Sequence, residues 1–263
     1  MNKYSLAQLL NKDEVQTIIN IFAEKDIEIR LVGGCVRNTI LDIDNKDIDC
    51  AINEKPDTVV KVLKKNNIKF KDFAKKYGSI TALIKNQKFE ITSLRKDFNQ
   101  QGRKTDIEYT NDWEEDAKRR DFTFNALYLD SKGRLIDYFN GLKDLNDKKV
   151  KFIGSIENSI NEDYLRILRY YRFLGIFEKP KVIKSYYKIL NKHFKKTFQH
   201  LSNDMIRIEI LKMLKNKFPL NSFSEISNLK QKNLLLKMTK KHFLDNDYKL
   251  GLNNCLDKVD KLF

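Results

Sequence analysis

Two aspartates, Asp47 and Asp49, stand two residues apart in the run Asp47-Ile48-Asp49. On a strand, residues two apart point to the same side, so this spacing presents two carboxylates together. Paired carboxylates hold a hard, oxygen-preferring cation such as magnesium. Upstream, an apolar stub runs into Gly33-Gly34, and Arg37 follows one turn later. Twin glycines let backbone N–H groups approach an anion at the start of a helix. The guanidinium of Arg37 adds a fork of donors suited to phosphate. Together the two halves predict a metal-bound triphosphate; surface acids at a strand end are the plain alternative for Asp47 and Asp49.

These residues require strand, glycine turn, helix, strand. The predicted elements are a strand over 27–32, a short helix over 34–41 and a second strand over 46–52. Ahead of them, Leu6, Leu9, Leu10, Val15, Ile18, Ile19 and Phe22 have near-helical spacing. They predict a helical lead-in covering one side of a sheet, with Ser5 and Asp13 as caps. Pro56 opens a helix to about Asn66, and two or three short strands with a turn at Gly78 follow.

The motif GGCVR, followed ten residues later by Asp-Ile-Asp, resembles the head of the tRNA nucleotidyltransferases and poly(A) polymerases of the bacterial-eukaryotic class. The resemblance covers roughly residues 29 to 215. It implies an α+β fold, with a mixed-sheet, polymerase beta-like nucleotidyltransferase head followed by helical segments. Glu90, in Phe89-Glu90-Ile91, is the candidate third carboxylate on a neighbouring strand; Asp121 remains the other candidate, and a solvent-facing charge is the plain reading of Glu90. Arg95 and Asp97 match the family's Leu-Arg-x-Asp opening of a flexible loop, and 95–112 is expected to be a solvated loop.

The run Arg119-Arg120-Asp121-Phe-Thr-Phe-Asn125-Ala resembles the family's second signature. Arg120 is expected to grip phosphate. Asp121 and Asn125, four apart, are expected to share a helical face and reach a ribose or orient Arg120; alternatively Asp121 caps a Thr123–Leu127 helix. Residues 127–136 read as a hairpin turning at 130–133, and 141–160 as a connector with one short helix and a strand-like VKFIG.

Residues 161–175 read as one helix with an apolar side and a stripe of Arg166, Arg169 and Arg172. Such a stripe is either an anion grip or ordinary solvated charge. Glu162-Asp163-Tyr164-Leu165-Arg166 matches the family's E-D-x-x-R motif, which implies that Asp163 and Arg166 contact the edge of the incoming base. An aspartate accepts from an exocyclic amino group and an arginine donates to ring nitrogens or carbonyls. Arg169 and Arg172 match family arginines that orient and contact phosphate. Further helices are expected over 181–192 and 200–216, the latter packing the neck through an apolar face that carries Arg207 and Glu209.

The chain departs from the family in places. Asn38 stands where aspartate is usual, Tyr138 where proline is, and Asp204 and Met205 where glutamate and arginine are. The expected domains are a catalytic head over 1–140, a helical neck over 141–216 and a reduced, tRNA-binding helical body over 217–263.

The 263 residues carry a net charge of +15, which favours polyanionic partners, nucleic acid before anionic membrane. Only three histidines and three cysteines occur, with no C-x-x-C pair, which argues against structural zinc. Cys35, Cys50 and Cys255 read as reduced, buried small hydrophobes of a cytoplasmic protein. No secretion signal and no run of 18 uncharged apolar residues is found, so no membrane partner is expected. Oligomeric state is not legible.

The resemblance implies template-independent addition of C, C and A to the 3′ end of tRNA from CTP and ATP, with two Mg2+ ions on Asp47, Asp49 and Glu90. Gly33, Gly34, Arg37, Arg120, Asp121 and Asn125 would hold the nucleotide. Sibling activities, poly(A) synthesis or addition of C or A alone, share these motifs. A non-enzymatic RNA-binding protein and an unrelated nucleotide-binding regulator are the other readings.

Overall fold

A computed structural model describes residues 3–101 and 104–228. The chain falls into two compact units, one of residues 1–99 with 105–142 and one of 100–104 with 143–263.

The first unit is built on a seven-stranded sheet in the order β3-β4-β5-β2-β1-β8-β9. Its strands are β1 (Ile29–Val32), β2 (Asp47–Ile52), β3 (Lys69–Lys71), β4 (Ser79–Ile84) and β5 (Gln87–Ser93), with β8 (Leu127–Leu129) and β9 (Leu135–Asp137). Strands β2 and β5 run parallel; β1 to β2, β1 to β8, β3 to β4, β4 to β5 and β8 to β9 are antiparallel. Alternation sorts the side chains of the central strands. Ile48, Cys50, Ile80, Ala82, Ile84, Phe89 and Ile91 are buried on one face. Asp47, Lys88, Glu90, Thr81 and Leu83 take the intervening positions on the other.

The lead-in is two helices, α1 (Lys3–Leu10) and α2 (Asp13–Ala23). Helix α2 turns Val15, Ile18, Ile19 and Phe22 into the core at the spacing the sequence predicts. The expected caps differ. Lys12 precedes α2 with no side-chain cap, so Asp13 is its first residue, and Ser5 Oγ donates to the carbonyl of Thr39 at 3.2 Å. The short helix α3 (Gly34–Ile40) follows β1. Pro56 starts α4 (Pro56–Lys65), where its missing N–H costs nothing, and Val59, Val62 and Leu63 face inward.

Residues 95–112 are not the loop that was expected. They form a two-stranded sheet of β6 (Arg95–Gln101) and β7 (Lys104–Tyr109). Arg95 anchors it, with Nε donating to Asp97 at 2.9 Å and Nη1 to the carbonyl of Tyr77. The family-like Arg-x-Asp pair thus braces the hairpin's start, and Arg95 ties it to the turn that precedes β4. Helix α5 (Trp113–Lys118) starts at Asp112, whose side chain accepts from the amides of Glu114 and Glu115.

The second unit is helical: α6 (Gly141–Asn146) at its boundary, then α7 (Ile156–Glu162), α8 (Leu165–Leu174), α9 (Tyr187–His200), α10 (Asn203–Leu214) and α11 (Pro219–Asn228). VKFIG forms no strand, and the helix expected over 181–192 lies later, at 187–200. Helix α8 is the centre. Ile167, Leu168, Tyr171 and Leu174 are buried, and so are Tyr170 and Phe173. Tyr170 stacks on Phe152 at 5.8 Å, and Tyr171 meets Phe194 edge-on. The expected single helix over 161–175 is broken. Asp163 is extended, and its carboxylate accepts from the amide of Leu165 at 2.9 Å, which ends α7 and starts α8. Of the expected body over 217–263, residues 229–263, Cys255 among them, lie outside the described residues; α11 packs on α8.

Candidate active site

Strand register assembles the acids. Asp49 pairs directly with Glu90 across the parallel β2–β5 ladder, and Asp47 pairs with Lys88. All three carboxylates therefore share the solvated face of adjacent strands. Lys88 Nζ sits 3.6 Å from Asp47 and 3.6 Å from Glu90. Burial, then the negative charge of Glu90, push the Asp49 carboxyl above its ordinary range, with Asp47 adding to the rise; Arg120 and Arg37 oppose them.

The glycine turn brings α3 against this face. Gly33 has φ of +69°, a conformation that disfavours any side chain. A Cβ on Gly34 would lie 3.3 Å from Asp49 Oδ2, so the missing side chain is what lets α3 sit beside the carboxylate. Arg37 is nearly buried. Its fork donates to Asn38 Oδ1 at 2.8 Å through Nη2 and to Asn125 Oδ1 through Nη1. Asn38 accepts here as a neutral amide, so the departure from aspartate keeps a hydrogen bond while removing a negative charge.

Asn125 passes the network on, donating to Asp121 Oδ1 at 2.8 Å. The same oxygen accepts the amide of Phe122. Asp121 and Asn125 do meet, but across a single 3-10 turn, Thr123–Asn125, and not along an α-helix; Phe122 precedes that turn with no side-chain cap bond. Asp121 is buried among these partners, whereas Glu90 faces Asp49 from the next strand.

Arg120 is oriented by other residues than expected. Its Nη2 donates to Asp116 at 3.0 Å and its Nε to Tyr128 at 3.2 Å, and Tyr128 donates to Asp116 at 2.8 Å. Arg119 completes the cluster, 2.7 Å from the other Asp116 oxygen. Burial alone would raise the Asp116 carboxyl; Arg120 and Arg119 outweigh it and bring it down to about 2. Burial would lower the Arg120 guanidinium, but Tyr128 and Asp116 hold it above its ordinary value, so it stays charged. Neither Asp116 nor Tyr128 was singled out from the sequence, although Asp116 and Arg120 have the i,i+4 spacing of a helical ion pair. Burial, then Asp49, push the Cys35 thiol up to about 12, and Cys50 rises too, so both are inert small hydrophobes.

In the second unit the arginines of α8 are neither an open anion grip nor solvated charge. Arg166 is buried and donates through Nη1 to Ser159 Oγ at 2.7 Å and Glu162 at 2.8 Å. Arg172 pairs with Glu209 of α10 at 2.6 Å, and Glu209 also takes Lys212 at 3.0 Å. Glu209, expected to pack the neck, is thus a buried counter-ion. Arg169 lies toward the ring of Phe173, 5.9 Å from its centroid. Asp163, at the helix break, stays partly exposed.

Residues 29–151 match the poly A polymerase head domain. Over these residues the chain carries the head domain of the tRNA nucleotidyltransferases and poly(A) polymerases. It is 41% identical over 175 residues to human mitochondrial CCA tRNA nucleotidyltransferase 1, covering 66% of this chain and 40% of that protein. It is 31% identical over 214 residues to a CCA-adding enzyme of Lactobacillus delbrueckii, covering 81% of this chain and 52% of the relative. The chain thus spans roughly half the length, or less, of these curated relatives. Among solved structures, the Bacillus stearothermophilus CCA-adding enzyme in complex with CTP matches with a TM-score of 0.73 at 22% identity, over 95% of this chain and 68% of that one. That match confirms the mixed-sheet head and helical continuation. A tRNA nucleotidyltransferase complexed with a primer tRNA and an ATP analogue matches with a TM-score of 0.66 at 27% identity, over 88% and 64% of the two chains. One expectation is overturned. The human, mouse and zebrafish relatives are mitochondrial proteins by name, against the cytoplasmic placement expected here. Two buried, free thiols do not single out a compartment. Among the described residues, no helix is long and apolar enough to cross a membrane.

Proposed function

We propose that this chain adds C, C and A to the 3′ end of tRNA, drawing on CTP and ATP and releasing pyrophosphate. The observation that carries the reading is Asp47, Asp49 and Glu90 sharing one sheet face, with Gly34 against Asp49 and the guanidinium groups of Arg37 and Arg120 at the same glycine turn. Its relatives named as CCA-adding enzymes favour this product over poly(A).

The donor set fits magnesium. Among the described residues no group of three His, Cys, Asp or Glu side chains is placed to hold a metal ion by itself. Magnesium is commonly bound by one or two carboxylates together with substrate phosphate oxygens, so an open set of acids suits it. Asp47, Asp49 and Glu90 would hold two ions, and those ions would acidify the attacking 3′-hydroxyl and offset charge on the leaving pyrophosphate. The protein's own part is positioning. Gly33 and Gly34 let backbone approach the triphosphate. Arg37, set by Asn38 and Asn125, and Arg120, set by Asp116 and Tyr128, donate to its oxygens. Asp121 fixes Asn125 beside them, where its amide can meet the sugar.

In the helical unit, Asp163 accepts the exocyclic amino group shared by C and A, and Arg166 donates to the ring edge. Glu162 and Ser159 hold the guanidinium of Arg166 in a set direction. Arg169, against Phe173, and Arg172, paired with Glu209, brace the same helix behind Arg166. Residues 1–140 serve as catalytic head, 141–216 as nucleotide-selecting neck and 217–263 as an RNA-gripping end. Replacing Asp47 or Asp49 by alanine is expected to remove nucleotide incorporation while RNA affinity stays within about twofold, since neither carboxylate contributes phosphate contacts. Near-wild-type turnover in either variant would contradict the assignment.

A further inference from the structure

The face that carries the acids does not stop at them. Asp47 pairs with Lys88, Lys88 with Leu83, and Leu83 with Lys69. In the next row Asp49 pairs with Glu90, Glu90 with Thr81, and Thr81 with Lys71. Cross-strand partners project to the same side, so both rows form one surface running from the acids to the edge strand β3. Lys69 and Lys71 are exposed at its end, and Leu83 is an apolar side chain left 44% exposed in its middle.

On the other side of the acids the same face is roofed. Arg30, paired with Ala51, lies 3.7 Å under the ring of Trp113, and Trp113 packs edge-on against Tyr128. Helix α3 and Arg120 occupy the space beside Asp49. The triphosphate-holding groups are therefore on the β1–β8 side. In-line displacement puts the attacking oxygen opposite the leaving group. The attacking strand must then arrive from the open β5-β4-β3 side.

We infer that the single-stranded 3′ end of the RNA lies across the open face of β5, β4 and β3, with Lys69 and Lys71 holding its phosphates. This rests on the nucleotidyl-transfer reading above. Neighbouring strands are about 4.8 Å apart, so β3 lies about 10 Å beyond Glu90. A stacked strand rises about 3.4 Å per nucleotide, which puts the lysines near the third phosphate from the reacting end. Leu83 and Thr81 form the floor between them, an apolar patch for a base or ribose and a hydroxyl for a phosphate or 2′-OH. Asp72, exposed after Lys71, is the nearest acid in sequence and keeps the lysine pair from being a uniform cationic field. Lysines on an edge strand also discourage strand-to-strand aggregation, and that role alone predicts no effect on RNA.

The test is RNA binding by the full chain carrying Lys69→Gln and Lys71→Gln, using a labelled tRNA transcript and a labelled single-stranded oligonucleotide over a salt series. Two lost phosphate contacts are expected to reduce the slope of log affinity against log salt by about 1.4. CTP binding is expected to be unchanged, which controls for folding. A neutral methylphosphonate at the third linkage from the 3′ end is expected to weaken binding to the wild type and not to the double variant. An unchanged slope, or a methylphosphonate penalty that persists in the variant, overturns the inference and leaves the lysines as edge protection. Wild-type incorporation is measured in parallel. If no nucleotide is added but the slope falls, the RNA surface stands and the CCA-adding reading fails; if nucleotides are added and the slope is unchanged, the surface alone fails.

Discussion

Replacing Asp116 by asparagine tests whether Arg120 is held by a buried anion. Asp116 is fully buried and receives Arg119, Arg120 and the Tyr128 hydroxyl. Its carboxyl is brought down from 3.8 to about 2, against a burial effect that would raise it, by Arg120 and Arg119. A group depressed on folding adds stability above its unfolded pKa and loses it as the pH falls toward the folded one. The shift corresponds to about 2 kcal/mol at neutral pH. Breaking a buried ion pair costs about 3 to 5 kcal/mol, and Arg119 and Arg120 keep some access to water, which favours the lower end. The asparagine side chain keeps the shape and one acceptor, so the expected loss is about 2 to 3 kcal/mol in urea unfolding at pH 7. The gap to wild type should be constant from pH 7 to 5 and should shrink by about 1 kcal/mol by pH 3. The KM for CTP should rise, because Arg120 loses its direction. A gap under about 0.5 kcal/mol at pH 7, of the size expected for surface changes, would refute the reasoning, as would a gap that does not change with acid.

Two further outcomes follow from the same geometry. Lys88→Met removes the ammonium that stands between Asp47 and Glu90. Exposed pairs are worth about 0.2 to 1 kcal/mol each, so Mn2+ affinity followed by electron paramagnetic resonance should tighten about two- to thirtyfold; weaker binding would contradict the competition. Glu209→Gln leaves Arg172 in α8 without its counter-ion. It should cost about 2 to 3 kcal/mol in urea unfolding, with Lys212→Gln, which alters an exposed partner, costing under about 1; equal losses would contradict a buried pair.

The parts of the molecule governed by local patterns were legible in the chain. Alternation in Asp47–Ile52 sets two acids on one face, and Gly33-Gly34 marks a turn that no side chain fits. The apolar spacing of α2 and α4 shows in the sequence for the same reason. What was misread depends on long-range pairing or on short polar elements. The β6–β7 hairpin is a separate two-stranded sheet, and its polar run Arg95–Gln101 offers no apolar alternation to read. Tyr128 reaches Arg120 only because β8 pairs with β1, and Glu209 reaches Arg172 only because α10 packs on α8. The break at Asp163 carried a local signal, an aspartate two residues before the first amide of α8, but the apolar period running through it masked the cap. For Arg166 the i,i+4 partner Glu162 was in view, and the burial that makes the pair matter was not.

Extension of tRNA transcripts ending before CCA, after C and after CC, with CTP and ATP singly and together in magnesium, addresses the chemistry directly. Addition of C, then C, then A, followed by a stop, is the expected result. A long A ladder, a product stalled after one kind of nucleotide, or no incorporation on any of the three transcripts would contradict it.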